Sequence, residues 1–168
     1  MKEIELYREV VYSNKYLGDT SIIDKHIEHI LLFDKGRTVS NIGGYQSNFI
    51  TFGFYDLIDH MVNSINQVSP AKVKLNSFWL NINKGTNSNN VHNHGQSGWS
   101  AVYYHKTCCD KSPIVFHHYV PAIKCTTWSI APENQECLFF DMSLPHSVKA
   151  CENAEHERVS IAFNFDFL

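Results

Sequence analysis

The sequence lacks the features that mark several specialised classes of protein. Its 168 residues contain no apolar run near the length that spans a bilayer. The N-terminal segment mixes acidic with apolar residues, so it has neither the basic start nor the unbroken apolar stretch of a signal peptide. A net charge of −3 gives no indication of the basic surface of a general nucleic-acid-binding protein. These absences predict a cytoplasmic protein.

Cysteine and glycine patterns exclude further kinds of site. There are five cysteines, of which Cys108 and Cys109 are adjacent, and no CxxC pair occurs. Neither a zinc ribbon nor a thioredoxin-like motif is therefore indicated, and we expect five reduced thiols. The chain also has no phosphate-binding glycine loop and no GxSxG motif.

The chain divides into a helical part and a strand-rich part. Its length suits one domain, 1–168, with a sizeable core. Apolar residues recur at helical spacing within 20–35, and Gly36 follows where a glycine cap is expected. A second stripe of this kind spans 54–68. We therefore predict a helical N-terminal part over about 1–70.

From residue 71 onward the sequence predicts a series of short strands. Segments rich in β-branched and aromatic residues are separated by turn residues. They cover residues 72–83, 99–106, 113–120, 124–130, 136–141 and 157–166. Two helices followed by many strands predict an α+β protein, mainly β, in which helices buttress a β-sandwich or jelly roll.

The last predicted strand has the clearest pattern. In RVSIAFNFDF, apolar residues occupy every second position from 159 to 167. Such alternation predicts one apolar face packed on the core. The opposite face carries Arg158 and Ser160, and it faces either solvent or a polar cavity inside a barrel.

Three histidines form the strongest candidate for a metal site. In VHNHG, His92 and His94 are two residues apart, so in an extended chain their side chains point the same way. His146 follows the strand ECLFFD directly, where a side chain can project into a barrel mouth. Neutral imidazoles bind iron, zinc, copper or nickel. An HxH pair alone is weak evidence, because two hydrogen-bonded histidines in a polar loop give the same pattern.

The order of these motifs is similar to that of a known family of enzymes. The chain has an FWLN strand, a glycine turn, HxH, SAVYY, a phenylalanine-rich turn, a histidine followed shortly by valine, and RVSIAFN. This arrangement resembles a 2-oxoglutarate–Fe(II) oxygenase family that is common in phages and marine bacteria. The resemblance covers roughly residues 40–168, and GGYQS at 43–47 also fits it. It implies a double-stranded β-helix and an Fe(II)- and 2-oxoglutarate-dependent dioxygenase, expected to be a hydroxylase.

The resemblance also implies a role for each site residue. His92, His94 and His146 would bind Fe(II). Arg158 would pair with the distal carboxylate of 2-oxoglutarate, and Ser160 would donate a hydrogen bond to it. The co-substrates would be 2-oxoglutarate and dioxygen, while the primary substrate, whether peptide, nucleic acid or metabolite, stays open.

Three further residues are candidates to line the cofactor cavity. Tyr104 lies on the strand after HxH, where one of two adjacent tyrosines faces inward. Asn81 lies on the strand before HxH, and Asn164 shares a face with Arg158.

His94 stands where the wider superfamily has a carboxylate, because the common facial triad is two histidines and one carboxylate. Either the site uses three histidines, or a carboxylate comes from elsewhere, with Asp110 and Asp141 as candidates. We expect Asp141 to cap the turn after its strand. Two other functions stay open at this stage, a cupin-like three-histidine metalloenzyme without 2-oxoglutarate and a non-catalytic jelly-roll binding protein.

Overall fold

The computed structural model describes residues 9–107, 112–120, 124–151 and 153–168. Its two helices are α1 (Thr20–Phe33) and α2 (Tyr55–Val68). Its strands are β1 (Val11–Lys15), β2 (Asn41–Ile42), β3 (Tyr45–Gln46), β4 (Val73–Lys84), β5 (Ser88–His92), β6 (Trp99–Lys106), β7 (Ile114–Val120), β8 (Lys124–Ile130), β9 (Glu136–Asp141), β10 (His146–Val148) and β11 (Glu157–Phe167). Within the described ranges, no helix is both long and apolar enough to cross a membrane.

The strands form two antiparallel sheets. One sheet has six strands in the order β1-β9-β6-β11-β4-β3, and the other has five in the order β2-β5-β10-β7-β8. The sheets share a core in which Trp79, Tyr104 and Phe140 of the first sheet join Ile114 and Phe116 of the second. This architecture confirms the prediction of a mainly-β jelly roll.

The outer face of the six-stranded sheet is covered by the two helices. In α1 the buried residues Ile23, Ile27 and Ile30 recur at helical spacing, and α2 buries Leu57, Met61 and Ile65 in the same way. These side chains share a core with the outward-facing residues of the sheet, among them Leu80, Tyr103, Ile161 and Phe163. The central part of the six-stranded sheet, in β4, β6, β9 and β11, therefore has buried residues on both faces.

Strand β11 lies at the centre of this sheet, between β6 and β4. The predicted alternation holds, because Ile161 and Phe163 are fully buried on the helix side. Arg158 and Ser160 point the other way and are 5% and 1% exposed. They line a cavity between the two sheets, so the polar face of β11 lies in the interior and not in solvent.

A turn of two glycines connects the two sheets near the site. Strand β2 pairs with β5 in one sheet, and β3 pairs with β4 in the other. Gly43 and Gly44 between them have φ angles of 65° and 66°, which glycine adopts without steric cost. A Cβ on Gly44 would lie 2.8 Å from the carbonyl oxygen of Ile82. Glycine is therefore required for β3 to lie against β4.

The structure corrects two details of the sequence analysis. The segment 1–70 is not purely helical, because β1, β2 and β3 within it pair with strands of the barrel. Gly36 does not cap α1, which ends at Phe33 with Asp34 in an extended conformation. Instead, the backbone N–H of Gly36 donates to the Asp34 carboxylate, so Gly36 belongs to the following turn.

Candidate metal and cofactor site

The strand register sets which side chains face the interior cavity. Ser160 of β11 lies opposite Asn81 of β4 and Tyr104 of β6. Directly opposed residues in antiparallel strands project from the same face, so these three side chains share the cavity with Arg158, two residues before Ser160 on β11. All four line it. The free space in this cavity is small, about 40 Å³.

The three predicted histidines meet at one end of this cavity. His92 ends β5 and lies opposite His146, which begins β10, and their ring centroids are 4.5 Å apart. His94 follows in the next loop, where its backbone N–H donates to the carbonyl oxygen of Met142. One ligand atom from each imidazole lies within 4.8 Å of the other two. The fold therefore places His94 beside His146, although the two residues are 52 positions apart in the sequence.

Each imidazole is oriented by an oxygen acceptor on its Nδ1 atom. His92 Nδ1 lies 2.7 Å from the carbonyl oxygen of Asn90, and His146 Nδ1 lies 2.9 Å from that of Leu144. His94 Nδ1 lies 2.7 Å from the side-chain oxygen of Asn164. Since these oxygens only accept, each Nδ1 carries the proton and each Nε2 keeps a lone pair. An outer hydrogen bond of this kind is typical of metal-binding histidines.

The Nε2 atoms of His94 and His146 are 3.2 Å apart. Two lone pairs at this separation repel each other unless a cation lies between them. Nitrogen ligands bind divalent metals at about 2.0–2.1 Å, so two ligands of one ion lie roughly 3 Å apart. The donor set and its spacing therefore fit a bound metal ion.

Burial keeps the three imidazoles neutral near pH 7. Desolvation lowers the pKa of His92 and His146 below the usual 6.5, and it lowers the pKa of His94 to about 4 with a smaller contribution from His92. Neutral imidazole is the form that coordinates a metal, so the site has no proton to displace at physiological pH.

At the other end of the cavity, Arg158 is a buried cation without an anionic partner in the described part of the chain. Its Nη1 donates to the carbonyl oxygen of Ser112 at 3.1 Å, and its Cζ lies 5.4 Å from the centre of the Tyr104 ring. Its Nε has no hydrogen-bond partner among the residues that the structure describes. A buried guanidinium is costly unless an anion pairs with it. The cavity is therefore built to receive a carboxylate.

Tyr104 presents a second unsatisfied group to the cavity. Its ring is fully buried, and its hydroxyl makes no hydrogen bond within the described residues. Burial raises the pKa of this phenol to about 12, so it stays protonated and can donate. Ser160 and Asn81 add a hydroxyl and an amide on the same face.

Asn164 lies on the predicted face of β11 but at the metal end of the site. Its side-chain oxygen accepts from the Ser100 hydroxyl at 3.2 Å as well as from His94. The stacking of Trp79 on His94, with ring centroids 5.3 Å apart, holds the other side of this imidazole. Neither contact follows from sequence spacing, because Asn164 and Trp79 are both distant from His94 along the chain.

Among the described residues, no carboxylate lines the cavity. Asp141 caps its own turn as expected, because its Oδ1 accepts from the backbone N–H of Ser143 at 2.8 Å and from the Ser143 hydroxyl at 2.6 Å. Asp110 lies outside the described residues. Within those residues the candidate metal site consists of three histidines, His92, His94 and His146.

Comparison with known proteins identifies the family. A family model described as "Putative 2OG-Fe(II) oxygenase" matches residues 77–164, which span β4 to β11 and include the three histidines, Arg158 and Asn164. The chain belongs to the 2OG-Fe(II) oxygenase family. No curated protein sequence matches this oxygenase. Its cofactors are Fe(II) and 2-oxoglutarate, and the donor set described above fits both.

Solved structures share the fold of this oxygenase at low sequence identity. The viral collagen prolyl hydroxylase from Paramecium Bursaria Chlorella virus-1, in a 2OG complex, has a TM-score of 0.65 and 13% identity over 94% of this chain and 96% of its own. HygX from Streptomyces hygroscopicus, with nickel and 2-oxoglutarate bound, has a TM-score of 0.71 and 9% identity, and the match covers 93% of this chain and 82% of HygX. A Trichoplax adhaerens prolyl hydroxylase in complex with a peptide fragment has a TM-score of 0.67 and 14% identity, and the match covers 95% of this chain and 83% of that hydroxylase. These likenesses show the double-stranded β-helix fold.

Proposed function

We propose that this oxygenase is a hydroxylase that holds Fe(II) through His92, His94 and His146. The observation that carries the proposal is the convergence of three neutral imidazoles at one end of a cavity whose other end holds a buried guanidinium with no anionic partner among the described residues. A metal ligand set and an anion-binding group on one cavity are what an α-keto dicarboxylic acid requires. When bound, iron and 2-oxoglutarate would together activate dioxygen, which supplies the oxidising power for hydroxylation of a C–H bond.

The remaining residues of the site act by binding and orientation. Arg158 presents a planar fork to the distal carboxylate of 2-oxoglutarate, and the hydroxyls of Ser160 and Tyr104 donate to the same end of the acid. Asn81 lines the wall between that end and the imidazoles. Asn164 acts on His94, whose Nδ1–H it fixes, so its contribution is to hold the ligand.

The first experiment is an anaerobic titration of the apo-protein with Fe(II) and then with 2-oxoglutarate, followed by visible absorption. We expect a weak charge-transfer band that requires both components. The variant Arg158→Met replaces the guanidinium with an uncharged side chain of similar length. We expect it to bind Fe(II) normally and to lose at least about tenfold in 2-oxoglutarate affinity, because charge-assisted hydrogen bonds contribute about 1.5–3 kcal/mol.

Two controls make the titration decisive. Lys149→Met removes a positive charge from an exposed position outside the cavity, and it should leave both affinities unchanged. His146→Ala should abolish Fe(II) binding and with it the band. A band that is unchanged in Arg158→Met would remove Arg158 from the 2-oxoglutarate site. Iron that binds without any 2-oxoglutarate-dependent band would point to a three-histidine metalloenzyme of another kind.

A further inference from the structure

A second cavity, of about 200 Å³, adjoins the histidine cluster. His92 and His94 line it, but Arg158, Ser160 and His146 do not. The segment between α1 and α2 also lines this cavity, with polar, aromatic and aliphatic side chains. They are Arg37, Val39, Ser40, Gln46 and Phe49. The cavity therefore reaches the candidate metal site from a direction different from that of the 2-oxoglutarate cavity.

Arg37 is held in place with most of its donors unused. Its Nε donates to the carbonyl oxygen of Ser47 at 3.0 Å, and its Cζ lies 4.1 Å above the ring of Phe49. Its backbone is fixed as well, because its N–H donates to the Gln46 carbonyl oxygen at 2.7 Å and its own carbonyl accepts from the Asn41 amide. Within the described residues, its two terminal nitrogens make no hydrogen bond and no ion pair. The guanidinium thus offers a free, pre-oriented fork.

Gln46 adds a second unsatisfied group to the same cavity. It is 3% exposed, and its side-chain oxygen has no hydrogen-bond partner among the described residues. In the register of β3 and β4 it lies opposite Asn81, so its side chain projects to the interior face of the sheet. A buried amide without a partner indicates a ligand that supplies one. The described residues that line this cavity include no aspartate or glutamate.

We propose that this second cavity binds the primary substrate and that the substrate is a carboxylate of amino-acid size. The free guanidinium fork of Arg37 can donate two parallel hydrogen bonds to a carboxylate. The side-chain oxygen of Gln46 can accept a hydrogen bond from an N–H group of the same ligand. The free space of about 200 Å³ accommodates one amino acid or one residue of a peptide. This proposal rests on the proposed function, since it assumes that the histidines hold the reacting metal.

The position of Trp79 supplies a direct signal for binding. Its indole lies 5.9 Å from the ring of Phe49 and 5.3 Å from that of His94, so it forms the wall between Arg37 and the metal site. Arg37 Cζ lies 6.0 Å from the indole. A carboxylate that enters the cavity must contact this wall and change the tryptophan fluorescence.

The test uses the protein loaded with Fe(II) and 2-oxoglutarate without oxygen, and a panel of probes made from the twenty protein amino acids. Each amino acid is supplied as the free acid, as the N-acetyl acid and as the N-acetyl amide. Binding is measured by tryptophan fluorescence, and succinate release after addition of oxygen is measured in parallel. Binding of the free acids alone would identify a free amino acid as the substrate. Binding of the N-acetyl acids would identify the C-terminus of a peptide. Binding of only the N-acetyl amides of aspartate and glutamate would identify an acidic side chain within a peptide.

Arg37→Gln is the decisive variant, with Lys35→Gln as its matched control. Both remove one positive charge from the same segment, but Lys35 is exposed and does not line the cavity. We expect Arg37→Gln to weaken binding of the carboxylate probe at least about tenfold, Arg37→Lys to recover only part of it, and Lys35→Gln to change nothing. The affinity for 2-oxoglutarate, measured on the same samples by the charge-transfer band, should not change in Arg37→Gln.

Three results would overturn the proposal. They are equal binding by wild type and Arg37→Gln, tightest binding by uncharged probes, and no binding by any probe to a protein that still binds 2-oxoglutarate. Absence of the 2-oxoglutarate-dependent charge-transfer band from the wild-type protein would instead contradict the proposed function. The two failures are therefore distinguished within one experiment.

Discussion

His94 Nδ1 lies 2.7 Å from Asn164 Oδ1, so strand β11 orients an imidazole that precedes it by 70 residues. The contact fixes the tautomer that leaves Nε2 free for the metal. We expect Asn164→Ala to lower the affinity for Fe(II) or Co(II) by about 10–100-fold, the usual cost of losing an outer hydrogen bond to a ligand histidine. Asn164→Asp keeps an acceptor and should retain the affinity. Ser100→Ala removes only the neighbouring bond to Asn164 and serves as the control.

His94 also allows a test of the three-histidine ligand set. We expect His94→Ala to lose more metal affinity than Asn164→Ala does, because a ligand is removed and not only its support. His94→Asp restores the two-histidine, one-carboxylate set that iron oxygenases use, and it should bind Fe(II) more tightly than His94→Ala. Isothermal titration with Fe(II) under anaerobic conditions measures both values. Equal affinities for His94→Ala and wild type would remove His94 from the ligand set.

Tyr104→Phe should separate the stability of the fold from the affinity for the cofactor. The buried hydroxyl has no hydrogen-bond partner among the described residues, and such a group costs about 1–3 kcal/mol. Its removal should therefore leave the apo-protein at least as stable while weakening 2-oxoglutarate binding. Thermal unfolding and the charge-transfer titration measure the two effects. Tyr103→Phe, on the opposite face of the strand, should leave 2-oxoglutarate affinity unchanged.

The ion pairs of Glu157 should make the free energy of unfolding depend on pH. Hydrogen bonds and ion pairs with Lys106 and Lys84 hold its pKa below the usual 4.5. Because the folded-state pKa is depressed, the ionised carboxylate stabilises the protein above about pH 4.5, and this contribution is lost as the pH falls through the folded-state value. Glu157→Gln should therefore reduce the free energy of unfolding at pH 7 by less than about 1 kcal/mol and have little effect near pH 3.

Urea denaturation at the two pH values tests this expectation. The control is Glu155→Gln, an exposed glutamate of the preceding turn for which the structure shows no ion pair within the described residues. A loss of stability in Glu157→Gln that is equal at both pH values would show that its effect is not electrostatic.

Long elements with a clear period were predictable from the sequence. The alternation in β11 predicted the strand and placed Arg158 on the face opposite the apolar residues, but it left open whether that face meets solvent or a cavity. The apolar stripes predicted α1 and α2 to within a few residues. Short elements were not predicted, because β5 and β10 contain polar residues and gain their strand geometry from partners far along the chain. Tertiary pairing overrode a weak local pattern in those segments.

The cluster of three candidate histidines could be predicted because HxH and a histidine after a strand are local patterns. The groups that support them could not be. The hydrogen bond of Asn164 to His94, the carbonyl of Ser112 on Arg158 and the cavity lined by Arg37 and Gln46 all depend on how distant segments meet. Sequence spacing carries no information on such contacts, so only the fold reveals them.

The central position of β11 has a consequence for synthesis of the chain. This strand follows all the other described strands in sequence, yet it lies between β6 and β4. Until it leaves the ribosome, β6 and β4 each present an open edge of unpaired backbone groups beside apolar side chains. Open edges of this kind promote aggregation. We therefore expect the nascent protein to depend on chaperones until β11 is released, and ribosome stalling just before residue 157 to produce chains that aggregate.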